Sequence, residues 1–188
     1  MTHHETPASE TASRPAVAGG ALRPAVILGG NRIPFARANT AYAEVGNQEM
    51  LTATLDGLVA RFGLQGERLG QVTAGAVLKH PRNFNLTREA VLGSALSAAT
   101  PAADVQVACA TGMEALGTLA NKIRLGQLDS AIGGGVDSIS DAPVSLSDGA
   151  RRVLLQLNTA KTTKDRLRAL AQLRPCLLYT SLMARGRR

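Results

Sequence analysis

Asp104-Val105-Gln106-Val107-Ala108-Cys109-Ala110-Thr111-Gly112-Met113-Glu114-Ala115-Leu116 is the stretch that decides how this chain is read. The run Asp104 to Ala108 is mostly apolar and predicts a short buried strand. From Ala110 to Leu125, apolar residues recur at Met113, Leu116, Ala120 and Ile123, which is helical spacing. Gly112 is a tolerated weakness in that helix. Cys109 sits at the junction. There the partial positive charge of a helix N-terminus favours a thiolate, the form of cysteine that acts as nucleophile. The competing reading is a small buried hydrophobe, the common fate of a free cysteine.

Outward from this junction, strands alternate with helices. Ala25 to Leu28, ended by Gly29-Gly30, predicts a first strand. Gln48 to Phe62 predicts a helix with Leu51, Leu55, Leu58, Val59 and Phe62 on one face, stopped by Gly63. Val72 to Leu78 predicts a strand, Lys79 to Asn85 a polar loop, and Thr87 to Leu96 a helix. Ser130 to Gly134 predicts a last strand after a helix stop at Gly126. Ser147 to Asn158 and Thr162 to Leu173 predict two further helices, with Val153, Leu154, Leu157, Leu167 and Leu170 turned inward. Such alternation implies an α/β fold with parallel strand pairs under helical cover. Gly29-Gly30 after a strand does not make a dinucleotide fingerprint, because the G-x-G-x-x-G spacing is missing.

The residues around Cys109 closely resemble the nucleophile motif of thiolases, in which a reactive cysteine is followed by small residues and an apolar helix. Gln106 and Glu114 depart from that motif, and neither touches the nucleophile. Asn31-Arg32-Ile33-Pro34-Phe35-Ala36-Arg37, Asn85-Leu86-Thr87-Arg88 and Gly133-Gly134-Gly135-Val136-Asp137-Ser138-Ile139-Ser140 resemble further segments of the family in the same order, with Asp137 in place of Glu. Arg152-Val153-Leu154 and Asn158 to Thr162 resemble the acyltransferase subunit of trifunctional β-oxidation complexes and its bacterial relatives. The resemblance implies a thiolase-like fold, N-terminal half only: a five-stranded mixed sheet on a central helix, then the start of an inserted helical loop domain. It implies a leader at 1–22, the core at 23–141 and the loop domain from 142 to 175. Cys176 to Ser181 match the translation of a transposase mosaic end, so residues 176–188 are expected to be a sequencing-adaptor artefact.

Composition limits the partners. Of the 188 residues, 45% are hydrophobic, which suits a globular core, and only 3% are aromatic, with no Trp. That scarcity argues against stacking platforms for single-stranded nucleic acid. The net charge of +7 would suggest nucleic acid if it were evenly spread. It is not: residues 1–141 carry 11 basic and 12 acidic residues, residues 142–175 carry 7 and 2, and the tail adds three arginines. Two cysteines make no disulfide framework, so a reducing, cytoplasmic setting is expected. No run is long enough for a transmembrane helix, Met1 to Gly20 lacks the pattern of a signal peptide, and the three histidines have no metal-site spacing.

The implied activity is that of an acetyl-CoA C-acyltransferase or acetyltransferase with Cys109 as nucleophile, forming an acyl-enzyme during reversible thiolytic cleavage of a 3-ketoacyl-CoA. Coenzyme A and acyl-CoA are its substrates, and no bound cofactor or metal is expected. A homo-oligomer, and a partner subunit in a β-oxidation complex, are implied for the full-length form. No histidine follows His80, so this piece is expected to be inactive, and the helix Ala110 to Leu125 is apolar on so many sides that the piece is expected to be poorly packed alone. A ketoacyl synthase-type condensing enzyme and a noncatalytic acyl-CoA-binding protein are the alternatives.

Overall fold

The computed structural model describes residues 22–143 and 146–172; the expected leader up to 21 and the expected artefact at 176–188 lie outside the described residues. The described elements, in order, are α1 (Asn47–Phe62), β1 (Gln71–Ala74), α2 (Leu86–Gly93), β2 (Ala102–Asp104), α3 (Thr111–Arg124), β3 (Ala131–Gly133), α4 (Asp148–Thr159) and α5 (Thr163–Leu170), with a 3-10 turn at Pro81–Asn83. They fall into two compact units, one of residues 22–34, 48–77 and 85–136, the other of residues 35–47, 78–84 and 137 onward.

The first unit is built on a three-stranded sheet in the order β2-β1-β3, with both pairings parallel. Val72 pairs with Ala102 on one side and Ile132 on the other, which fixes the register. β1 to α2 to β2 steps one way across the sheet, and β2 to α3 to β3 steps the other. Right-handed crossovers therefore put α2 and α3 on opposite faces. Burial agrees. Val72, Thr73 and Ala74 are successive residues of β1 and point alternately to the two faces, yet all are buried. Leu51, Leu55 and Val59 of α1 join Leu86, Ala90 and Val91 of α2 over one face. Each such buried aliphatic side chain contributes about 1.5–3 kcal/mol.

Local signals account for the helix boundaries. Gly63 takes φ +64° after α1, and the Leu64 N–H donates to the Val59 carbonyl at 3.0 Å. Gly126 takes φ +69° after α3, and the Gln127 N–H donates to the Lys122 carbonyl at 2.9 Å. Both are the six-to-one closure that a left-handed glycine permits. Ahead of α2, the Asn85 side chain accepts from the Arg88 N–H, and both carboxylate oxygens of Asp104 accept from α2, from Leu86 N–H at 3.1 Å and Thr87 N–H at 2.7 Å. The end of β2 thus caps the helix that precedes it.

Four expectations need correction. Ala25 to Leu28 is not a strand; Ile27 is 82% exposed. The segment is held only near its ends, where Arg23 N–H meets the Arg124 carbonyl and Arg61 donates to the Gly30 carbonyl. The expected buried strand Asp104 to Ala108 is displaced: β2 is Ala102–Asp104, and Gln106 to Ala108 are exposed, because past Val105 the backbone leaves β1 and turns toward α3; the strands at 72–78 and 130–134 are shorter than expected. Phe62 is largely exposed at the end of α1, and Met50 is buried in its stead. In the second unit Val153 is buried, but Leu154, Leu167 and Leu170 are exposed; α4 and α5 contact one another, and the residues they bury include the small Ala150 and Ala169. Ser147 and Thr162 cap these two helices. Among the described residues no helix is long and apolar enough to cross a membrane.

Candidate functional site

The site forms at the carboxyl ends of the three strands, where the strand order reverses about β1; open α/β sheets bind ligands in that crevice. Hydrogen bonding continues past the strands proper. Val105 N–H donates to the Ala74 carbonyl at 2.9 Å, and Val136 N–H donates to the Gly75 carbonyl at 3.0 Å. Three backbones therefore converge on Gly75. A Cβ there would overlap the Val105 carbonyl oxygen, and a Cβ at Gly135 would stand 3.3 Å from the Gly75 carbonyl oxygen. Only residues without side chains allow this approach. Gly133 serves the other end of the contact, since a Cβ there would meet Leu116 of α3 at 2.9 Å.

Beyond Val105 the chain makes a sharp turn into α3. The Ala110 N–H donates to the Val107 carbonyl at 2.9 Å, closing a four-residue turn. Its second residue, Ala108, has φ +43°. That position ordinarily takes glycine, and a Cβ-bearing residue there costs about 1–2 kcal/mol. The surroundings hold it in place. The Thr111 hydroxyl accepts from the Val107 N–H at 3.0 Å and donates to the Ala108 carbonyl at 2.8 Å. The Gln106 side-chain amide donates to the Val77 carbonyl at 2.9 Å. Cys109 follows Ala108, exposed, two residues ahead of α3. Val107 and Met113 beside it are exposed as well, while Thr111, Ala115 and Leu119 are buried. Glu114, for which the sequence offers no reason, accepts from the Thr118 hydroxyl at 3.1 Å one turn along α3.

The other segments singled out in sequence have structural duties. Asn85 caps α2, and Arg88 donates to the Thr100 and Ala98 carbonyls, both at 2.9 Å. Asn31 donates to the Thr54 carbonyl at 3.0 Å, in contact with Gly57. Gly133 to Val136 belong to the site, whereas Asp137, Ser138 and Ser140 hold loops of the second unit. Asp137 accepts from Leu78 N–H, Ser138 from Asp141 N–H, and Ser140 from Asn39 N–H. His80, the one histidine among the described residues, is also in the second unit and bonds Asp141 at 2.9 Å. Among the described residues no group of three His, Cys, Asp or Glu could hold a metal ion. Sequence reasoning singled out Cys109, which the structure places on this turn, and missed what Ala108, Thr111 and Gly75 do there. Gly75 carried a legible signal, a lone glycine inside an apolar strand pattern. The positive φ of Ala108 carried none.

The family described as "Thiolase, N-terminal domain" matches residues 25–173. The chain belongs to the thiolase family. The chain is 34% identical over 181 residues to the mitochondrial trifunctional enzyme subunit beta of Mus musculus, covering 96% of this chain and 38% of that protein. It is 37% identical over 148 residues to the 3-ketoacyl-CoA thiolase of Photorhabdus laumondii, covering 79% of this chain and 34% of that protein. The crystal structure of the Bacillus anthracis acetyl-CoA acetyltransferase matches 69% of this chain and 33% of its own with a TM-score of 0.65 at 26% identity. The fold of the chain is thus thiolase-like, and the chain spans little more than a third of the curated relatives it matches.

Proposed function

We propose that this chain supplies the nucleophile of an acetyl-CoA C-acyltransferase, with Cys109 forming the acyl-enzyme. The observation that carries the reading is the placement of Cys109: exposed, at the apex of a braced turn, at the carboxyl ends of the strands and the start of α3. The cysteine sulfur attacks the 3-keto carbon of a 3-ketoacyl-CoA. The bond between carbons 2 and 3 breaks, its electron pair leaves as the enolate of acetyl-CoA, and that enolate takes a proton. The acyl group is now a thioester on Cys109. The sulfur of coenzyme A attacks it, the Cys109 thiolate leaves, and the coenzyme A proton replaces the one consumed. Splitting a carbon–carbon cleavage in this way replaces one hard step by two easier ones. The relatives' names, 3-ketoacyl-CoA thiolase and trifunctional enzyme subunit beta, support this substrate class and a partner subunit for the whole protein.

Acid–base groups are the weak point of the chain taken alone. The unit that carries Cys109 contributes no histidine to the described residues. Slow acylation without turnover is therefore the expected behaviour. The test is incubation with acetyl-CoA followed by peptide mass mapping. Acetyl on the peptide bearing Cys109, lost in Cys109→Ser, is the expected result. Acetylation that persists in Cys109→Ser would sink the assignment.

A further inference from the structure

We infer that Thr111 is a positioning residue, whose hydroxyl locks the turn that presents Cys109; this rests on the reading of Cys109 as nucleophile. Thr111 is 5% exposed and opens α3. A buried threonine at such a place has a simpler employment available, as a helix cap for the residues that follow. Its hydroxyl points the other way. It reaches back across the turn, accepting from Val107 N–H and donating to the Ala108 carbonyl. The two groups it joins flank the one backbone torsion in the turn that an L-residue resists, the φ of +43° at Ala108. Val107 N–H and the Ala108 carbonyl can meet one hydroxyl together only while that torsion is held.

The methyl group of Thr111 faces a different target. Its Cγ2 lies 3.1 Å from where a Cβ of Gly75 would stand, so it packs against the central strand at the point where three backbones converge. One side chain thus ties the turn to itself through oxygen and to β1 through carbon. β-Branching makes the pairing stiff, because both atoms hang from the same restricted torsion. Released from this clamp, Ala108 relaxes to negative φ and Cys109 swings off the apex, away from the first turn of α3. The clamp acts on the reaction through Cys109.

The test uses the full-length form of the protein, with alkylation read by mass mapping of the peptide that bears Cys109. The rate of Cys109 alkylation by iodoacetamide is measured folded and in guanidinium chloride, and the folded-to-unfolded ratio is compared. Thr111→Val removes the hydroxyl and keeps the shape; the ratio is expected to change by about tenfold, the worth of a lost hydrogen bond with its partners stranded. Thr111→Ser keeps the hydroxyl but loses the methyl group against Gly75, and is expected to restore most of the parental ratio. Ala108→Gly added to Thr111→Val is expected to restore much of it, since glycine adopts positive φ without help. A role in packing alone predicts no rescue from position 108. A Thr111→Val ratio equal to the parent's overturns the proposal, and so does failure of both rescues. A measurement that needs no variant is amide exchange at Val107: protection supports the clamp, and exchange at the free-peptide rate refutes it. Acetyl transfer from acetyl-CoA, run on the same proteins, separates the two readings. Acetylation of Cys109 that ignores Thr111→Val defeats the clamp and leaves the nucleophile standing. The expected alkylation pattern without any acetylation defeats the nucleophile and leaves the clamp.

Discussion

Ala25-Val26-Ile27-Leu28 is more apolar than Ala102-Ala103-Asp104-Val105, yet the second segment is a strand edge of the core and the first lies in water. The difference lies in backbone partners. β2 finds β1 alongside it in parallel register, and its Asp104 also caps α2. Residues 25–28 join no strand pairing. Their anchors are the ends of two helices, with Arg124 of α3 near one end and Arg61 of α1 near the other, and the side chains between stay 71–84% exposed at Val26, Ile27 and Leu28. Apolar content supplies a reason to be buried. It does not supply the hydrogen-bond partners without which a backbone cannot leave water.

That contrast can be broken at three places. The largest effect is expected at Gly75→Ala. The added methyl has nowhere to go, because its neighbour is the Val105 backbone carbonyl and not a movable side chain. A loss of about 3 kcal/mol is expected in urea unfolding, with Cys109 alkylation altered as the turn shifts. A stability near the parent's would mean that β1 and the turn are not in close contact. Next comes Asp104→Ala, which strands the Leu86 and Thr87 N–H groups, two donors on buried residues. About 2 kcal/mol is the expected cost, with early loss of α2 protection in amide exchange. An unchanged exchange pattern would remove β2 from its role as a cap. The smallest effect is expected at Ile27→Ser, below about 0.5 kcal/mol, because an exposed side chain has little burial to lose. If Ile27→Ser cost as much as Asp104→Ala, segment 25–28 would be packed in solution and the comparison would collapse.

Much of this architecture was legible from residues alone. The helices α1, α2, α3, α4 and α5 all fall within two or three residues of their expected spans, because apolar spacing and stop signals such as Gly63 and Gly126 act within a single turn of chain. The entry into α3 beside Cys109 was legible for the same reason, since an apolar helix after small residues is a local pattern; the strand expected to run up to Cys109 was not there, because β2 ends at Asp104. Asn85 and Arg88 stood out but for an unforeseen purpose, since a cap and a clamp on the 98–100 carbonyls are made only once the loop has folded back.

What the sequence determined by itself is the alternation of elements, the start of α3 just after Cys109, and the family. The tertiary structure decided three further matters. It left the first apolar run outside the strand pairing, it buried Ala150 and Ala169 and left Leu154, Leu167 and Leu170 exposed, and it held Ala108 at a positive φ. The physical reason is common to all three. Periodicity and composition report what each residue prefers, whereas pairing, close approach and strained torsions depend on which backbone arrives from elsewhere in the chain. Gly75, Val105 and Val136 lie far apart in sequence, and the site exists because hydrogen bonds bring them to one point.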